Sequence, residues 1–469
     1  MNRRDFLISS LAAAGGVGLA ACDDHGASNM PKAPMPTTGP DGRRLLPWQN
    51  WSGYQHALPA ERLAPQDEEE LAALLQHSPA PIRPVGAGHS FAALVPTQGS
   101  LLSLRNFGGL KAHDAASLTA TLGAGTRLGD VGPMLDGVGQ ALANMPDIDS
   151  QTIAGAIATA THGTGRALGA LHSYVTGLRL VTPRGEVIDC SAERNPEVFA
   201  AARVSLGSLG VITEVTLRNV PTHKLKRSVW LEPLDQLLER FDELARQHHS
   251  FEIYYLPFCS SAVAIAIDPT DEPISPRGEE QDNDAVMQMK QARDWLSWWP
   301  GLRRRVLDLA TQDFKPEEAV DLWYRIFPSS REVRFNEMEY HFDADALLPV
   351  FKEVRKRIEA QHHEEFFPIE LRVVRGDDAW LSPFQGHEVS GSIAVHRYHA
   401  EDPLPYFADI EPIYQPYEGR PHWGKMHTLT PAQLAGRYPR WADFLAVRAA
   451  LDPEGRMLNP YLRTLFGLA

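Results

Sequence analysis

The sequence contains little cysteine, no excess of positive charge and no long uninterrupted apolar run. Its 469 residues include 3 cysteines, which excludes the disulfide framework of a small secreted scaffold. The formal net charge of −14 argues against a surface that binds nucleic acid or anionic lipid. The remaining composition is that of a globular protein, long enough for two or three domains with large cores. We find no internal repeat.

The N-terminus is typical of an export signal. Arg3-Arg4 opens a twin-arginine sequence, and the apolar stretch at residues 7–21 is too short and too rich in alanine and glycine for a good transmembrane helix. The stretch ends in Leu19–Cys22, which resembles a bacterial lipobox. For residues 1–22 we therefore expect a Tat lipoprotein signal, lipidation of Cys22 and a membrane-anchored protein on the periplasmic side. The alternative is ordinary signal cleavage near Ala21.

Local patterns divide the rest of the chain. Residues 23–48 are rich in proline, glycine and small polar residues, which predicts a flexible tether. Ordered structure is expected from about Trp51. The pattern is α+β up to residue 221, and beyond it longer helices alternate with strand-like runs. We therefore predict two α+β domains, residues 49–221 and residues 222–440, followed by a last segment, residues 441–469.

Periodicity and turn residues predict the elements of both domains. In the first, the helices are 68–76, 127–143 and 196–206, and the strands are 81–85, 101–104, 118–122, 174–181, 186–190 and 211–220. In the second, the helices are 234–248, 285–309 and 346–361, and the strands are 253–255, 262–267, 366–374 and 390–398. Pro183-Arg184-Gly185 predicts a hairpin, and the acidic residues 268–284 predict a loop.

Three tryptophans and two cysteines have ordinary structural interpretations. Trp295, Trp298 and Trp299 precede three consecutive arginines. Aromatic residues at this spacing are more often part of a core, and the alternative is a patch that dips into a membrane. Cys190 and Cys259 lie in different predicted regions. We expect both to be small buried hydrophobic residues, although an oxidising periplasm would permit a disulfide.

Two glycine-rich segments each contain one histidine. The first is Gly86–Phe91, which includes His89, and the second is Ile153–Gly165, which includes His162. Backbone that lies against a pyrophosphate or a flat ring cannot carry bulky side chains, and successive amides in such turns bind anions. This pattern indicates a dinucleotide. The spacing does not fit a Rossmann fingerprint, because its third glycine would fall on Phe91.

Both segments resemble the FAD-binding half of the vanillyl-alcohol-oxidase (PCMH-type) flavoprotein family. The first resembles the loop on which sugar-alcohol and aldonolactone oxidases attach FAD to histidine, which implies covalent FAD on His89. The second resembles the loop around the pyrophosphate and isoalloxazine edge, and Ser205–Thr213 resembles the signature on the adenine side. The implied cofactor-binding residues are Gly86, Ala87, Gly88, His89, Ser90, Phe91, Asp147, Ala154, Gly155, Thr159, His162, Gly163, Gly165, Gly210, Val211, Ile212 and His422.

The second domain contains a charged pair in an apolar run. Glu370 and Arg372 are separated by one residue, so on a strand they would share a face. Burying two charges is costly unless they pair or serve a ligand. A substrate site and a structural salt bridge are both open at this point.

The pair and the run His422-Trp423-Gly424-Lys425 resemble the C-terminal domain of the alditol and aldonolactone oxidase branch. The resemblance implies an α+β fold with a two-lobed FAD-binding domain and an α+β substrate (cap) domain, with residues 441–469 returning onto the FAD domain. It implies that Glu370, Arg372 and Lys425 are catalytic and that His422 lies against the isoalloxazine. It implies no metal.

Two positions depart from the branch. Where relatives have a small residue and a serine, this chain has Pro146-Asp147, and Asp147 could accept a hydrogen bond from a substrate hydroxyl. Where alditol oxidases have a substrate-binding threonine, this chain has Val395 followed by His396. The predicted substrate-binding residues are therefore Asp147, Glu370, Arg372, His396 and Lys425.

The sequence thus predicts an FAD-dependent oxidoreductase that oxidises a CH–OH group of a sugar lactone or polyol, with hydride transfer to flavin N5 and oxygen as acceptor. One alternative is a dehydrogenase that passes electrons to a periplasmic acceptor. Another is a lipoprotein that binds sugar acids without catalysis. Intact glycine loops and His89 argue against the last alternative.

Overall fold

A computed structural model describes residues 29–278, 282–312, 314–329 and 332–468. The predicted signal, the lipobox and Cys22 lie outside these residues. Within the described part of the chain, no helix has the length and apolar character needed to cross a membrane.

From residue 29 onward, the amino-terminal half combines short strands with four helices. The strands are β1 Thr37–Thr38, β2 Arg44–Leu45, β3 Trp48–Gln49, β4 His56–Ala57, β5 Glu61–Leu63, β6 Ile82–Val85, β7 Ser100–Ser103, β8 Leu110–Asp114, β9 Thr119–Gly123, β10 Gln140–Ala141, β11 Gly165–Gly169, β12 Val175–Val181, β13 Val187–Ser191, β14 Val211–Arg218 and β15 Val220–Pro221. The helices are α1 Glu68–His77, α2 Leu128–Asp136, α3 Ile153–Ala158 and α4 Pro196–Ala202, with a 3₁₀ turn at Leu171–Tyr174.

These strands form two main sheets, which correspond to the two lobes. One is parallel, in the order β5-β7-β6, and the other is antiparallel, in the order β13-β12-β14-β9-β8. Strand β6 leads directly into the first glycine segment, and α3 is the helical part of the second. The sheets therefore present both glycine segments at their ends.

The carboxyl-terminal half contains one large sheet and its helices. The strands are β16 Lys224–Pro233, β17 Ser250–Tyr255, β18 Ser261–Thr270, β19 Glu317–Leu322, β20 Phe335–Asp343, β21 Ile369–Arg375, β22 Val389–Tyr398 and β23 Arg420–Pro421. The helices are α5 Leu234–Glu239, α6 Phe241–Gln247, α7 Asp282–Leu296, α8 Pro300–Thr311, α9 Trp323–Ile326, α10 Leu347–Gln361, α11 Leu404–Tyr414, α12 Pro431–Arg437, α13 Trp441–Leu451 and α14 Pro460–Leu465, with 3₁₀ turns at Ala344–Ala346 and Gln415–Tyr417.

The large sheet connects the two halves. Its order is β19-β16-β18-β17-β21-β22-β20-β23, and β11 from the amino-terminal half pairs in parallel with β21. Thr164, just before β11, accepts a hydrogen bond from the amide of Val373 at 3.2 Å and donates to the carbonyl of Phe251 at 2.8 Å. The second glycine segment is thereby held to the strand that carries Glu370 and Arg372.

Most predicted elements are present, and the hairpin around Pro183–Gly185 is confirmed, with β12 and β13 paired antiparallel. The helix predicted at 127–143 ends at Asp136, because Gly139 takes a positive φ of 74° and the chain turns into β10. The helix predicted at 285–309 is two helices, because Pro300 begins a new one. Strands β16, β19 and β20 were not predicted.

The predictions for the two cysteines and the three tryptophans have different outcomes. Cys190 and Cys259 are free and buried, as predicted. The expectation that the three tryptophans belong to a core is wrong: Trp295, Trp298 and Trp299 are 48%, 74% and 53% exposed. The connection between α7 and α8 is instead buried through Leu296 and Arg303, which leaves the indole rings on its outer side.

Ordered structure begins before Trp51. Strands β1 and β2 pair within the predicted tether. Arg62 donates hydrogen bonds to the carbonyls of Leu46 and Pro47 at 3.1 and 2.8 Å, which holds the end of this segment against the domain.

Candidate active site

One cleft collects most of the predicted site residues. It is lined by the first glycine segment, by α3 and the residues around it, by residues 205–212 and by side chains from the large sheet. The predicted residues on its wall are Gly86, Ala87, Gly88, His89, Ser90, Phe91, Asp147, Ala154, Gly155, Thr159, His162, Gly210, Ile212, Glu370, Arg372, His396, His422 and Lys425.

Three predicted cofactor-binding residues lie off this wall. Val211 is 1% exposed and belongs to the core side of β14. Gly165 pairs with Val374, and a Cβ there would meet the carbonyl oxygen of His249 at 2.6 Å. Gly163 packs against Asn144 and the carbonyl of Met145, and it borders a second cavity. The structure explains Val211 by burial in the core and the two glycines by close packing of their backbone.

The first glycine segment lies tightly against the second. A Cβ on Gly86 would overlap the hydroxyl of Thr152, the residue at the N-cap position of α3. Gly88 has a positive φ of 73°, a conformation that residues with a side chain rarely adopt. These two glycines let the segments meet with backbone toward the cleft, which is what close contact with a dinucleotide requires.

A buried arginine that sequence reasoning missed fixes the floor of the cleft. Arg83 on β6 is 1% exposed and donates hydrogen bonds to four carbonyls. The acceptors are Leu94, Leu206, Gly207 and Met457, at 2.6–2.7 Å. Burial lowers the pKa of Arg83 to about 9. Because the acceptors come from distant segments, Arg83 joins the strand before the first glycine segment to residues 205–213 and to the C-terminal segment.

The C-terminal segment is held against the amino-terminal half. Asn459 donates to the carbonyls of Ala93 and Pro96 at 2.8 and 2.9 Å, and the amide of Ile82 donates to the carbonyl of Arg456 at 2.8 Å.

His89 is a half-buried, neutral imidazole. Its Nε2 lies 2.7 Å from the hydroxyl of Ser150, and Trp51 stacks on its ring with centroids 5.3 Å apart. Burial, with Lys425 and Arg127, lowers the pKa of His89 to about 4. A neutral ring held by a hydrogen bond and a stacked indole is suited to act as a nucleophile.

Arg372 lies at the centre of an acidic cluster. Its Nε donates to Glu252 at 2.7 Å, and its Nη2 lies 2.8 Å from Glu370 and 3.8 Å from Asp147. Nη2 also donates to the hydroxyl of Tyr254 at 2.9 Å. The Glu370–Arg372 salt bridge therefore forms, and both residues also line the cleft. The salt bridge and the substrate site, which the sequence left as alternatives, are therefore compatible with each other.

The cluster shifts the pKa of its members in opposite directions. Burial acts to lower the pKa of Arg372, but Glu370 and the other acidic neighbours outweigh it and hold it well above its ordinary value. Burial raises the pKa of Glu252, helped by Glu370 and Asp147 and opposed by Arg372. Burial also raises the pKa of Tyr254 well above its ordinary value. Tyr254 therefore stays protonated and can donate a hydrogen bond.

Lys425 forms a second charged contact in the cleft. Its Nζ donates to Glu337, lies 3.9 Å from Glu339 and lies 5.1 Å from the ring centre of Phe91. Burial acts to lower its pKa, but Glu337 and Glu339 outweigh it and raise it. The amide of Phe91 donates to the carbonyl of Gly424 at 2.7 Å, which holds this turn against the first glycine segment.

Three histidines surround Glu339 in the interior. His162 Nε2 lies 3.0 Å from Glu339, which also accepts from Ser392 at 2.6 Å. Burial acts to raise the pKa of Glu339, but His162 outweighs it and the pKa lies well below its ordinary value. Burial lowers the pKa of His341 to about 3 and holds that of His422 well below its ordinary value. Glu339 is therefore an ionised carboxylate beside two neutral rings.

The same residues have a geometry that could hold a metal ion. Ligand atoms of His162, Glu339 and His422 lie within 4.8 Å of one another. However, His162 and Glu339 are hydrogen-bonded to each other, and Nδ1 of His422 accepts from the amide of Gly424 at 3.0 Å. These contacts account for the group without an ion.

His396 faces the cleft from β22, whereas its neighbour Val395 is fully buried. Its Nδ1 lies 3.0 Å from the carbonyl oxygen of Pro368, which can only accept. In the neutral ring, Nε2 then carries the lone pair. Nε2 lies 3.6 Å from Glu370 and 3.8 Å from Glu337. This arrangement places Nε2 of His396 beside both carboxylates.

Sequence reasoning missed most partners of the predicted residues. They are Glu252, Tyr254, Glu337, Glu339 and His341. A signal was present, because Glu252 and Tyr254 alternate with apolar residues on β17, and Glu337, Glu339 and His341 do so on β20. This is the pattern that revealed Glu370 and Arg372.

The cleft fits FAD at both ends. One end is formed by backbone of the glycine segments, where Gly155 lies on the wall and a Cβ would have one neighbour, the hydroxyl of Thr152 at 3.1 Å. The other end holds the neutral ring of His422 and the cation of Lys425, a donor set suited to the polar edge of an isoalloxazine.

Comparisons with known proteins agree with this arrangement. Residues 59–191 match the family described as an FAD binding domain, and residues 215–465 match the family described as D-arabinono-1,4-lactone oxidase. The chain is 36% identical over 431 residues to an L-gulono-1,4-lactone dehydrogenase of Mycobacterium tuberculosis, covering 90% of this chain and 99% of that protein. It is 30% identical over 438 residues to the L-gulonolactone oxidase of Bos taurus, covering 91% and 99%.

Further similarities are more distant. The chain is 28% identical over 435 residues to an alditol oxidase of a Streptomyces species, covering 89% of this chain and 98% of that protein. Among solved structures, a cholesterol oxidase from B. sterolicum superimposes with a TM-score of 0.73 over 93% of this chain and 100% of the other. At 16% identity, that likeness shows the fold alone. The chain belongs to the D-arabinono-1,4-lactone oxidase family and is an FAD-dependent oxidoreductase, with an FAD-binding domain followed by an α+β substrate domain.

Proposed function

We propose that this enzyme oxidises a CH–OH group of a sugar lactone or polyol. Relatives named as lactone dehydrogenases or oxidases cover nearly the whole chain, and a relative named as an alditol oxidase does so at lower identity. When bound, FAD supplies the ability to accept a hydride from carbon, which side chains lack. The protein's residues position the substrate and manage its charge and protons.

The geometry that carries the proposal is the position of Arg372. The guanidinium is fixed by Glu252, Glu370 and Tyr254 and lines the cleft formed by the glycine segments. A fixed cation stabilises negative charge that develops on a substrate oxygen without having to reorganise during the reaction. In this role Arg372 is catalytic, while Glu252 and Tyr254 are positioning residues.

Glu370 and His396 manage the hydroxyl proton in this proposal. Glu370 accepts a hydrogen bond from the reacting hydroxyl and orients it. Nε2 of His396, 3.6 Å from Glu370, provides a lone pair that can take the proton. Asp147 accepts a hydrogen bond from a second substrate hydroxyl near Arg372.

Lys425 completes the proposed catalytic group. Glu337 raises its pKa and keeps it charged. With FAD held in the cleft, this cation would stabilise negative charge on the reduced cofactor. His422, which is neutral, packs at the same end.

The function is tested with purified protein and a panel of aldonolactones and polyols. We expect yellow protein, anaerobic bleaching of the flavin by at least one aldonolactone, and slower or no bleaching by the corresponding open-chain acid. Protein that contains FAD but is not bleached by any member of the panel would refute the proposed substrate class.

The cofactor is proposed to be attached covalently to His89. The neutral imidazole, the contact with Ser150 and the position on the cleft wall support this attachment. A covalent bond would retain the flavin in a protein that has left the cytoplasm.

The electron acceptor is proposed to be oxygen, with a periplasmic acceptor as the second candidate. The second candidate is favoured by the relative at 36% identity, which is named as a dehydrogenase. Reoxidation of the reduced enzyme in air distinguishes the two, because an oxidase regains its yellow colour within its turnover time.

Export by the Tat pathway and a lipid anchor on Cys22 are proposed from the sequence. The twin arginines and the lipobox support them. The exposed tryptophans at the α7–α8 connection offer a second possible membrane contact. Fractionation of wild type and Cys22→Ser separates the two contributions.

A further inference from the structure

A large cavity adjoins the candidate active site between the large sheet and helices α7 and α8. Its volume is about 1090 Å³. Asp147, Glu370, Arg372 and His396 line both this cavity and the cleft. The two spaces therefore meet at the polar residues to which the proposed function assigns the substrate.

The floor of the cavity is the inner face of the large sheet. Val229 and Leu231 on β16 and Val263 and Ile265 on β18 line it. The alternating residues of β18, such as Ala264, are fully buried on the other face. Val263 and Ile265 are only half-buried although β18 is an inner strand of the sheet, because they face the cavity.

The roof of the cavity is formed by α7 and α8. Apolar side chains on both helices, including Val286, Met289 and Ala310, line the space. Two buried arginines hold the connected ends of the helices. Arg293 donates to the carbonyl of Glu364 at 2.7 Å and to Glu401 at 2.8 Å, and Arg303 donates to the carbonyls of His363 and Glu365 at 2.7 and 2.5 Å.

These contacts explain how the cavity stays open. The connected ends of the helices are held by the two arginines. Farther along, Asn283 on α7 accepts from the amides of Glu332 and Val333 at 3.0 and 3.3 Å, and Asp308 on α8 accepts from the amide and the hydroxyl of Ser260 at 2.8 Å. The roof is therefore held by polar contacts along its length, so the space beneath it does not have to be closed to stabilise the helices.

A sugar lactone does not account for this space. Sites for drug-sized ligands have volumes of about 300–1,000 Å³. A carbohydrate carries hydroxyl groups on most sides. The apolar side chains that form the larger part of the lining leave such groups without partners, although Arg227, Arg277 and Glu317 also line the space. The polar end with Glu370 and Arg372 suits the sugar, whereas the walls formed by Ile265, Leu231 and Met289 suit hydrocarbon.

We propose that the cavity binds the hydrocarbon tail of an amphiphilic ligand whose polar head lies at Glu370 and Arg372. The ligand class is a polar ring or sugar that carries an alkyl or prenyl chain. The ligand is either an electron donor with such a chain or a quinone that accepts electrons. This inference rests on the proposed function for the position of the head, and on the cavity alone for the tail.

Equilibrium binding to the oxidised holoenzyme tests the tail site without turnover. The probes are 2,3-dimethoxy-5-methylbenzoquinone with and without a 6-decyl chain. Each fully buried methylene tightens binding about fourfold, so five of them give about 10³-fold. We expect the decyl probe to bind about 10³-fold more tightly than the probe without a tail. Equal affinities for the two probes would overturn the proposal.

Variants locate the tail. Ile265→Trp fills the cavity and Ile265→Asn makes its wall polar, and both should reduce the decyl advantage toward unity. Val187→Trp places the same large side chain on an exposed strand position outside the cavity and should keep the advantage. If Ile265→Trp does not fold, Ile265→Asn alone still tests the tail site. An unchanged advantage in the folded Ile265 variants would overturn the proposal.

Reduction and reoxidation of the flavin, measured separately, then show whether the ligand is an electron donor or a quinone acceptor. If the ligand is a quinone, the reduced enzyme should be reoxidised faster by the decyl quinone than by the probe without a tail, with two electrons and two protons passing to the quinone to give the quinol. If it is a donor, decyl glucoside should bleach the flavin faster than methyl glucoside. The lactone panel is independent of both, so a tail site found together with an inactive panel would refute the proposed substrate class and leave the tail site standing.

Discussion

Replacing Arg372 by alanine should slow reduction of the flavin by on the order of 10²-fold, the usual effect of removing one electrostatic partner of a transition state. The guanidinium is the cation shared by Glu252, Glu370 and Tyr254, with contacts of 2.7–2.9 Å. Flavin content should be little changed, because the glycine segments do not depend on this side chain.

The same change should also destabilise the protein. Removing one partner of a buried ion pair typically costs about 3–5 kcal/mol, because the other charge remains buried. Here the cost should lie toward the lower end. Burial already raises the pKa of Glu252, and without Arg372 it should rise further, so Glu252 takes up a proton instead of remaining as an unpaired anion.

This reasoning separates stability from catalysis. Arg372→Ala combined with Glu252→Gln should recover part of the lost stability, because a neutral amide removes the cost of protonating Glu252, but it should not recover the rate. Arg372→Lys should restore the charge and still reduce the flavin slowly, because a point charge does not reproduce the planar fork that contacts Glu252 and Glu370 together.

Anaerobic stopped-flow bleaching of the flavin measures the rate, and thermal unfolding measures stability. Arg179→Ala is the matched control: Arg179 also pairs with two carboxylates, Glu68 and Asp189, but lies outside the cleft. It should lower the unfolding temperature without slowing bleaching. Bleaching of Arg372→Ala at a nearly normal rate, with only the unfolding temperature lowered, would refute the catalytic role and reduce the pair to a structural salt bridge.

Three further outcomes are expected. Acid precipitation should leave the flavin in the pellet for wild type and in the supernatant for His89→Ala; flavin in the wild-type supernatant would contradict covalent attachment. Membrane fractionation should release Cys22→Ser, and an unchanged membrane fraction would point to another contact. Glu365 has a pKa raised by burial to about 7 despite its contact with Arg397, so its contribution to stability is present below about pH 4.5 and is lost as pH rises through 7. Between pH 5 and 8, the stability of Glu365→Gln relative to wild type should therefore increase by up to about 3 kcal/mol, which is measured as a rising difference in unfolding temperature. A difference that does not change with pH would rule this out.

The sequence predicted the parts of the site that depend on local pattern. Glu370 and Arg372 could be placed on one face because strand alternation is set by covalent geometry. The glycine segments could be recognised because close backbone contact allows few residue types. Lys425 and His422 were placed by family resemblance, and the structure brings both to the same cleft wall.

The partners of these residues could not be predicted because they depend on which distant strands become neighbours. Glu252 meets Arg372 because β17 pairs with β21 across more than a hundred residues of sequence. Arg83 looked like an ordinary strand residue, and its role depends on carbonyls from three separate segments. The cavity depends on how α7 and α8 are supported, which no local pattern records.

The charges that meet at the cleft also bear on the form of the substrate. The acidic residues on its wall are Asp147, Glu337, Glu339 and Glu370, with Glu252 contacting Arg372 from the adjoining cavity; the basic side chains on the wall include Arg372 and Lys425. Without Glu252, the four carboxylates still outnumber three cations, which are Arg372, Lys425 and Arg83 at the floor of the cleft. An open-chain sugar acid would add another anion among them, and the cations are already paired. A lactone or a polyol carries the same hydroxyl groups without that charge. The electrostatics of the wall therefore favour a neutral substrate and disfavour the hydrolysed acid.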